Sequence, residues 1–237
     1  MKKLGTLYLI PTSLSKRPLK EELKNSDLEI VRDLKYYIVE TPKVARAYLA
    51  GLDIVLQELD MRILDQHSRS KDISFLLEPL IQGHNVGLMS DAGTPAVADP
   101  GSLVVRECHR VGVRVVPLVG PSSILLAIMS SGMNGQEFCF NGYIPRDPNR
   151  RKAKIKQLER ESLRRNMSQI FIEAPYRNSS LFRDILEVCN PSTDLCLAVD
   201  ITGEKEYIKT QSIKDWRVEK DIKILDIPMI YIILAKR

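Results

Sequence analysis

The chain has 237 residues, 44% of them hydrophobic and 27% charged, with 35 Lys and Arg against 30 Asp and Glu for a net charge of +5. That length and mix suit one or two globular domains with ordinary cores and exclude a disordered chain. No apolar run reaches the roughly 18–20 residues that span a bilayer, and the opening Met-Lys-Lys-Leu-Gly-Thr-Leu-Tyr lacks a small-residue cleavage site, so neither a membrane protein nor an exported one is expected.

Short β-rich runs alternate with helical stretches through the first half. Thr6–Ile10 reads as a strand, followed by a helix near Leu19–Leu28, a strand at Tyr36–Glu40 and a helix at Lys43–Gly51. A strand at Arg62–Gln66, a helix at Ile73–Gln82, a strand at Val86–Met89, a helix at Gly101–Val111 capped by Gly112, and a strand at Arg114–Pro117 complete it. This alternation predicts a mostly parallel sheet with helices on its faces. The second half reads as a helix at Ser122–Ser131, a strand at Phe138–Ile144, a basic helix, a strand at Gln169–Glu173 and a helix at Ser179–Cys189. Three consecutive strands, Leu195–Ile201, Glu206–Ser212 and Met229–Leu234, then predict an antiparallel or mixed sheet. Two α/β domains result, 1–117 and 118–237.

The charge is concentrated in one place. Between Arg146 and Arg165 nine basic residues face only Asp147, Glu159 and Glu161, a net +6, which leaves −1 for the remainder. Ile155, Leu158 and Leu163 give this segment an apolar helical stripe. Basic residues at its start oppose the helix dipole, so helix stability does not explain them. A solvated surface helix and a phosphate-tracking surface are the two readings.

The most informative loop follows the buried run Val86–Met89: Ser90-Asp-Ala-Gly-Thr-Pro95, then Asp99-Pro-Gly101. In open α/β sheets ligands bind beyond the carboxyl ends of strands, where this loop lies. Gly93 lets a ligand approach the backbone, while Asp91 and Thr94 supply polar groups. Asp99 reads as a helix N-cap with Pro100 at the first helical position. Spacing excludes several chemistries. No phosphate-binding GxxxxGK[ST], no GxGxxG after the first strand and no GxSxG elbow is present. Cys108, Cys139, Cys189 and Cys196 form no CxxC, and His67, His84 and His109 form no paired ligand motif, so no metal or disulfide framework is expected and a reducing cytoplasm is.

Five segments, in order, resemble the tetrapyrrole methylase fold, and within it most nearly the ribosomal RNA small subunit methyltransferase I branch. They are Gly5-Thr-Leu-Tyr-Leu-Ile-Pro-Thr12, the Ser90–Gly101 loop, Val115-Val-Pro-Leu-Val-Gly-Pro-Ser-Ser123, Phe140-Asn-Gly-Tyr-Ile-Pro-Arg146 and Ile172-Glu-Ala-Pro-Tyr-Arg177. The resemblance implies an S-adenosylmethionine-dependent methyltransferase with its donor in a cleft between the two domains. Pro11, Ser90, Asp91, Ala92, Gly93, Thr94, Ser122 and Ser123 would line the donor site, with Ile201 and Pro228 closing over it. It also implies 2'-O-methylation of a ribose in small-subunit ribosomal RNA and a homodimer; no membrane partner is expected, because no apolar run is long enough to span a bilayer. Arg146, Arg150, Arg151, Lys152, Lys154 and Arg177 are the expected phosphate ligands. Glu40, Glu173 and Asp200 are candidate proton acceptors at strand ends, with no choice among them.

Two segments depart from the branch: Ser13-Leu-Ser-Lys-Arg-Pro-Leu19 after the first strand, and Glu40-Thr-Pro-Lys43 after the second. Both fall where substrate recognition is expected. The competing readings are methylation of a small molecule such as a tetrapyrrole, and a non-catalytic module that binds donor or RNA.

Overall fold

The computed structural model describes residues 3–15, 17–64, 70–219 and 226–236. The chain divides into two compact units, Met1–Ser122 and Ser123–Arg237.

In the first unit the strands are β1 (Thr6–Leu9), β2 (Tyr36–Val39), β3 (Asp60–Ile63), β4 (Val86–Met89) and β5 (Arg114–Pro117). They form one parallel sheet in the order β3-β2-β4-β1-β5. The helices are α1 (Leu19–Glu22), α2 (Asn25–Asp33), α3 (Pro42–Leu49), α4 (Ser70–Gln82) and α5 (Ser102–Val111). Strand residues alternate between the faces. Ile10, Tyr37, Val39 and Met89 pack with Leu28 and Val31 of α2 and Ala45 and Leu49 of α3. Leu7, Ile38, Val86 and Leu88 pack with Leu76 and Leu80 of α4 and Val104 and Cys108 of α5. The chain steps toward the β3 edge from β1 to β3, and back from β3 to β5. The direction therefore reverses around β4 and its neighbours, the topological switch point of such a sheet. β4 is buried along its whole length, and a Cβ on Gly87 would stand 2.6 Å from Ile10 Cδ1, so a side chain there requires the tip of Ile10 to move.

The expected alternation is present, with three shifts. β3 begins two residues before the expected Arg62–Gln66 run, whose last two residues lie outside the described residues, as does His67. The helix expected over Leu19–Leu28 is two helices separated at Leu23 and Lys24. Asp99 and Pro100 do not open α5. Gly101, at φ 140°, precedes its first residue, Ser102, without a side-chain cap, and Asp99 stays in the loop. Gly112 caps the other end as expected, at φ 79° with its N–H on the Cys108 and His109 carbonyls.

The second unit holds α6 (Ser123–Ser131), β6 (Phe138–Tyr143), α7 (Pro148–Arg165), β7 (Ser168–Ile172), α8 (Asn178–Val188), β8 (Asp194–Val199), β9 (Tyr207–Ser212), α9 (Ile213–Val218) and β10 (Met229–Leu234). The sheet order is β6-β7-β10-β8-β9; β6 and β7 are parallel and the remaining pairs antiparallel, the mixed sheet expected. One face carries Phe171, Leu197, Tyr231 and Ile233 against Ile155 and Leu158 of α7, Leu181 and Ile185 of α8 and Trp216 of α9. Trp216 anchors its helix further through an indole N–H donated to the Leu195 carbonyl at 2.8 Å. Asp147 caps α7 by accepting the Arg150 N–H at 2.8 Å, with Pro148 in the first turn. Among the described residues no helix is long and apolar enough to cross a membrane.

Candidate active site

In the first unit the carboxyl ends of β1, β2 and β4 are tied into one structure. Thr12, just beyond β1, pairs with Gly93 beyond β4: the Thr12 N–H donates to the Gly93 carbonyl at 2.8 Å, and the Gly93 N–H to the Thr12 carbonyl at 3.1 Å. The Thr12 hydroxyl donates to the Ser90 carbonyl at 3.2 Å. Gly93 sits at φ 75°, in the left-handed region where a side chain is strained. From β2, Thr41 holds the Asp91 carboxylate through its backbone N–H at 3.1 Å and its hydroxyl at 2.7 Å. The Asp91 N–H in turn donates to Glu40 at 3.3 Å, and the Tyr48 hydroxyl to the Ser13 carbonyl at 3.1 Å. The exit of β5 joins them. Thr94 donates its hydroxyl to the Pro121 carbonyl at 3.1 Å, and Gly120 lies so close to Pro11 that a Cβ there would fall 2.4 Å from the proline's.

Pro11, Ser90, Asp91, Ala92, Gly93 and Thr94 thus stand at the switch point, with Ser122 closing the same unit and Ser123 opening α6. Asp91 and Thr94 already spend side-chain atoms on Thr41 and Pro121, which makes them builders of the loop. The Ser90 hydroxyl is buried without a hydrogen bond of ordinary length and faces the Asp99 carboxyl. Burial raises Asp99 to about 6; Ser90 partly offsets this, and the charges of Glu40 and Asp91 add to it. Glu40 is also pushed up, first by burial, and the Asp91 N–H pulls it back. The set is rich in acceptors, so it suits a cationic, hydroxyl-bearing ligand. Thr12, Thr41, Tyr48 and Asp99 are parts of this site that sequence reasoning does not find. The one signal for Thr12, Thr41 and Asp99 is their position just beyond strands or in the loop after β4, and Tyr48, within α3, carries none.

In the second unit β6, β7 and β8 end, and β10 begins, at one end of the sheet. This brings Arg146, Arg177, Ile201 and Pro228 to the same end. The Asp200 N–H donates to the Pro228 carbonyl at 3.0 Å; Ile201 is buried and Pro228 exposed. Asp200 itself organises its turn, one carboxylate oxygen accepting the Lys205 N–H at 2.8 Å. Arg177 pairs with Glu173, which also accepts the Ala174 N–H at 2.8 Å. Arg177 Nε and Nη1 and Glu173 Oε2 are buried and have no hydrogen-bond partner among the described residues.

The basic helix separates into two populations. Arg151 is buried, with Nε 2.6 Å from Asp184 Oδ2 and Nη1 donating to the Arg146 carbonyl at 3.1 Å. Lys152 meets Glu187 at 2.7 Å, and that bond and the charge behind it push its ammonium pKa up. These two hold α7 to α8. Arg146 and Arg150 are exposed and Lys154 is half-buried. Among the described residues no group of three His, Cys, Asp or Glu is placed to hold a metal ion.

No protein-family model matches the chain. Among curated proteins, ribosomal RNA small subunit methyltransferase I of Haemophilus influenzae is 35% identical over 213 residues, 90% of this chain and 72% of that protein. The protein of that name from Thermotoga maritima is 32% identical over 185 residues, 78% of each. The crystal structure of the methyltransferase CobJ superposes with a TM-score of 0.63 at 16% identity, covering 98% of this chain and 96% of that one, and shows the tetrapyrrole methylase fold here. With its five ordered segments set on that fold and with relatives at this identity along most of its length, the chain is a methyltransferase and belongs to the ribosomal RNA small subunit methyltransferase I family.

Proposed function

We propose that this methyltransferase uses S-adenosylmethionine to 2'-O-methylate a ribose of small-subunit ribosomal RNA, working as a homodimer in the cytoplasm. The observation that carries the reading is the switch-point structure of the first unit, where Thr12, Thr41 and Pro121 lock the Ser90–Thr94 loop beside an acceptor-rich rim. Backbone carbonyls of the loop, the Ser90 hydroxyl and the Glu40 and Asp99 carboxyls fit a ligand that carries an ammonium group, a sulfonium and a ribose diol. Pro11, Ala92, Gly93, Ser122 and Ser123 supply surface for it.

When bound, S-adenosylmethionine supplies an electrophilic methyl group. The chain's own work is to hold that group in line with the acceptor oxygen and to exclude water, an arrangement worth roughly 7–11 kcal/mol of a barrier. A ribose hydroxyl is a poor nucleophile and must lose its proton. Asp99, at about 6, is the carboxyl best matched to accept it near neutral pH. Arg146, Arg150, Lys154 and Arg177 serve the phosphates, while Arg151 and Lys152 serve the fold.

Mapping ribose methylation of ribosomal RNA in cells with and without the gene tests this. One small-subunit position should lose its mark and regain it on complementation with the wild-type gene. An unchanged map, with a small acceptor methylated by the purified protein, overturns it.

A further inference from the structure

The acids of the basic segment are all turned to other tasks. Asp147 caps α7, Glu159 accepts the Asn190 N–H at 2.7 Å and the Thr193 hydroxyl at 2.6 Å, and Glu161 accepts from Gln157 at 2.7 Å. Three of the nine bases are paired as well: Arg151 and Lys152 with α8, and Arg165 with Glu137 at 3.5 Å. The other six make no ion pair among the described residues. The buried positions of α7 are Arg151, Ile155, Leu158 and Ser162. Lys156, Arg160 and Arg164 recur every four residues on the opposite side and are exposed. Like charges at this spacing weaken a helix. Arg164, in the last turn, is favoured by the helix dipole, but Lys156 and Arg160 gain nothing from it and repel along the row, so helix stability does not account for the ridge as a whole.

The direction of the helix adds to this. β6 and β7 are parallel and α7 is the crossover between them, so its first turn stands at the carboxyl end of the sheet with Arg177, Ile201 and Pro228. Along the 18-residue helix the ridge runs from about 12 to about 24 Å away from that end, one cation about every 6 Å. This is the scale of the phosphate repeat along an extended single strand.

We infer that the outer ridge Lys156–Arg160–Arg164 is a rail for the phosphates of single-stranded RNA flanking the methylated nucleotide on one side. The nucleotide itself lies beyond the helix start, near Arg146 and Arg150. This rests on the RNA methyltransferase reading and adds where the substrate lies and in which direction it leaves the site.

The test uses full-length protein and a small-subunit ribosomal RNA fragment, with binding followed by anisotropy over a salt series. Three lost phosphate contacts lower the slope of log affinity against log salt by about 2, at roughly 0.7 each. The K156A/R160A/R164A variant is therefore expected to lose roughly 16-fold less affinity than wild type between about 50 and about 200 mM salt. Its KM for RNA should rise, with kcat at saturating RNA and calorimetric affinity for S-adenosylmethionine unchanged. The defect should vanish on RNA shortened on one side of the methylated position and persist on RNA shortened on the other. A wild-type slope and KM in the triple variant overturn the rail while leaving the RNA reading standing. Wild-type protein that binds S-adenosylmethionine but no RNA overturns the RNA reading, and the rail falls with it. Binding to phosphatidylserine vesicles that the triple substitution abolishes, with RNA binding intact, reassigns the ridge to an anionic membrane surface and also overturns it.

Discussion

Thr41 grips both oxygens of Asp91, one through its backbone N–H at 3.1 Å and the other through its hydroxyl at 2.7 Å. The exit of β2 is thereby fastened to the loop beyond β4, which lies in the interior of the sheet. Thr41→Val keeps the shape and removes the hydroxyl, leaving a half-buried carboxylate short of one donor. A hydrogen bond to a charged group is worth about 1.5–3 kcal/mol. S-adenosylmethionine affinity by calorimetry should fall about tenfold or more, and Thr41→Ser should restore most of it. Wild-type affinity in the valine variant would remove the Thr41–Asp91 pair from the donor site.

Gly120 and Pro11 meet where the exits of β5 and β1 converge. A Cβ on Gly120 would lie 2.4 Å from Pro11 Cβ and 2.7 Å from its Cγ, and a proline ring has no rotamer by which to retreat. Gly120→Ala must push one segment off the other. The carbonyl of Pro121, one residue on, then moves from the Thr94 hydroxyl. Overpacking of this kind costs about 1–3 kcal/mol. Urea unfolding should show that loss together with weakened donor binding, whereas Gly112→Ala, with open space at its Cβ, should lose stability through its φ of 79° but keep donor affinity.

These relationships mark what was legible in the sequence. Val86–Met89 read as a buried strand because all four side chains had to be apolar or absent, and its loop followed directly. Strand alternation likewise gave the parallel first sheet and the mixed second one. Asp99 was misread because Asp-Pro-Gly is a local helix-start pattern. The structure instead spends Ala96 and Ala98, at φ 66° and 65°, and Gly101 on turning the loop, leaving the Asp99 carboxyl beside Ser90. Nothing local reports a contact 50 residues away, so Thr41 could not be seen to serve Asp91. The same holds for the basic helix, where composition counts charges and only packing separates Arg151 from Arg160.

Arg151 and Asp184 form a buried pair at 2.6 Å, with side chains 7% and 12% exposed. Arg151→Ala strands Asp184, and breaking such a pair costs about 3–5 kcal/mol. Lys152 still reaches Asp184 at 3.7 Å, which places the loss near the lower end. Urea unfolding should show it. At a temperature where the variant is folded, the salt slope for RNA binding should match wild type, and replacing both partners by Met and Leu should recover most of the stability. A lowered slope in the single variant would return Arg151 to the phosphate-binding set.

Asp99 sets a pH dependence whose sign is fixed by its environment. Burial lifts its carboxyl to about 6, above the ordinary value near 3.9 that it has in the unfolded chain. Between those values the folded state holds more proton than the unfolded one, so stability falls as pH rises. The contribution is complete below about pH 4 and lost by the time pH passes about 6. The site is partly open to solvent, and that screening brings the swing to about 1–2 kcal/mol. Asp99→Asn cannot ionise, so the difference in unfolding free energy between the variant and wild type should grow by that amount from pH 4 to pH 7, in the variant's favour. The same substitution removes the proposed proton acceptor. Methyl transfer should therefore drop while the protein becomes harder to unfold, and the acid limb of the wild-type rate profile near pH 6 should disappear. A variant that gains no stability at pH 7 would show that Asp99 ionises there at no cost to the fold. One that keeps its rate and acid limb would move proton acceptance to Glu40.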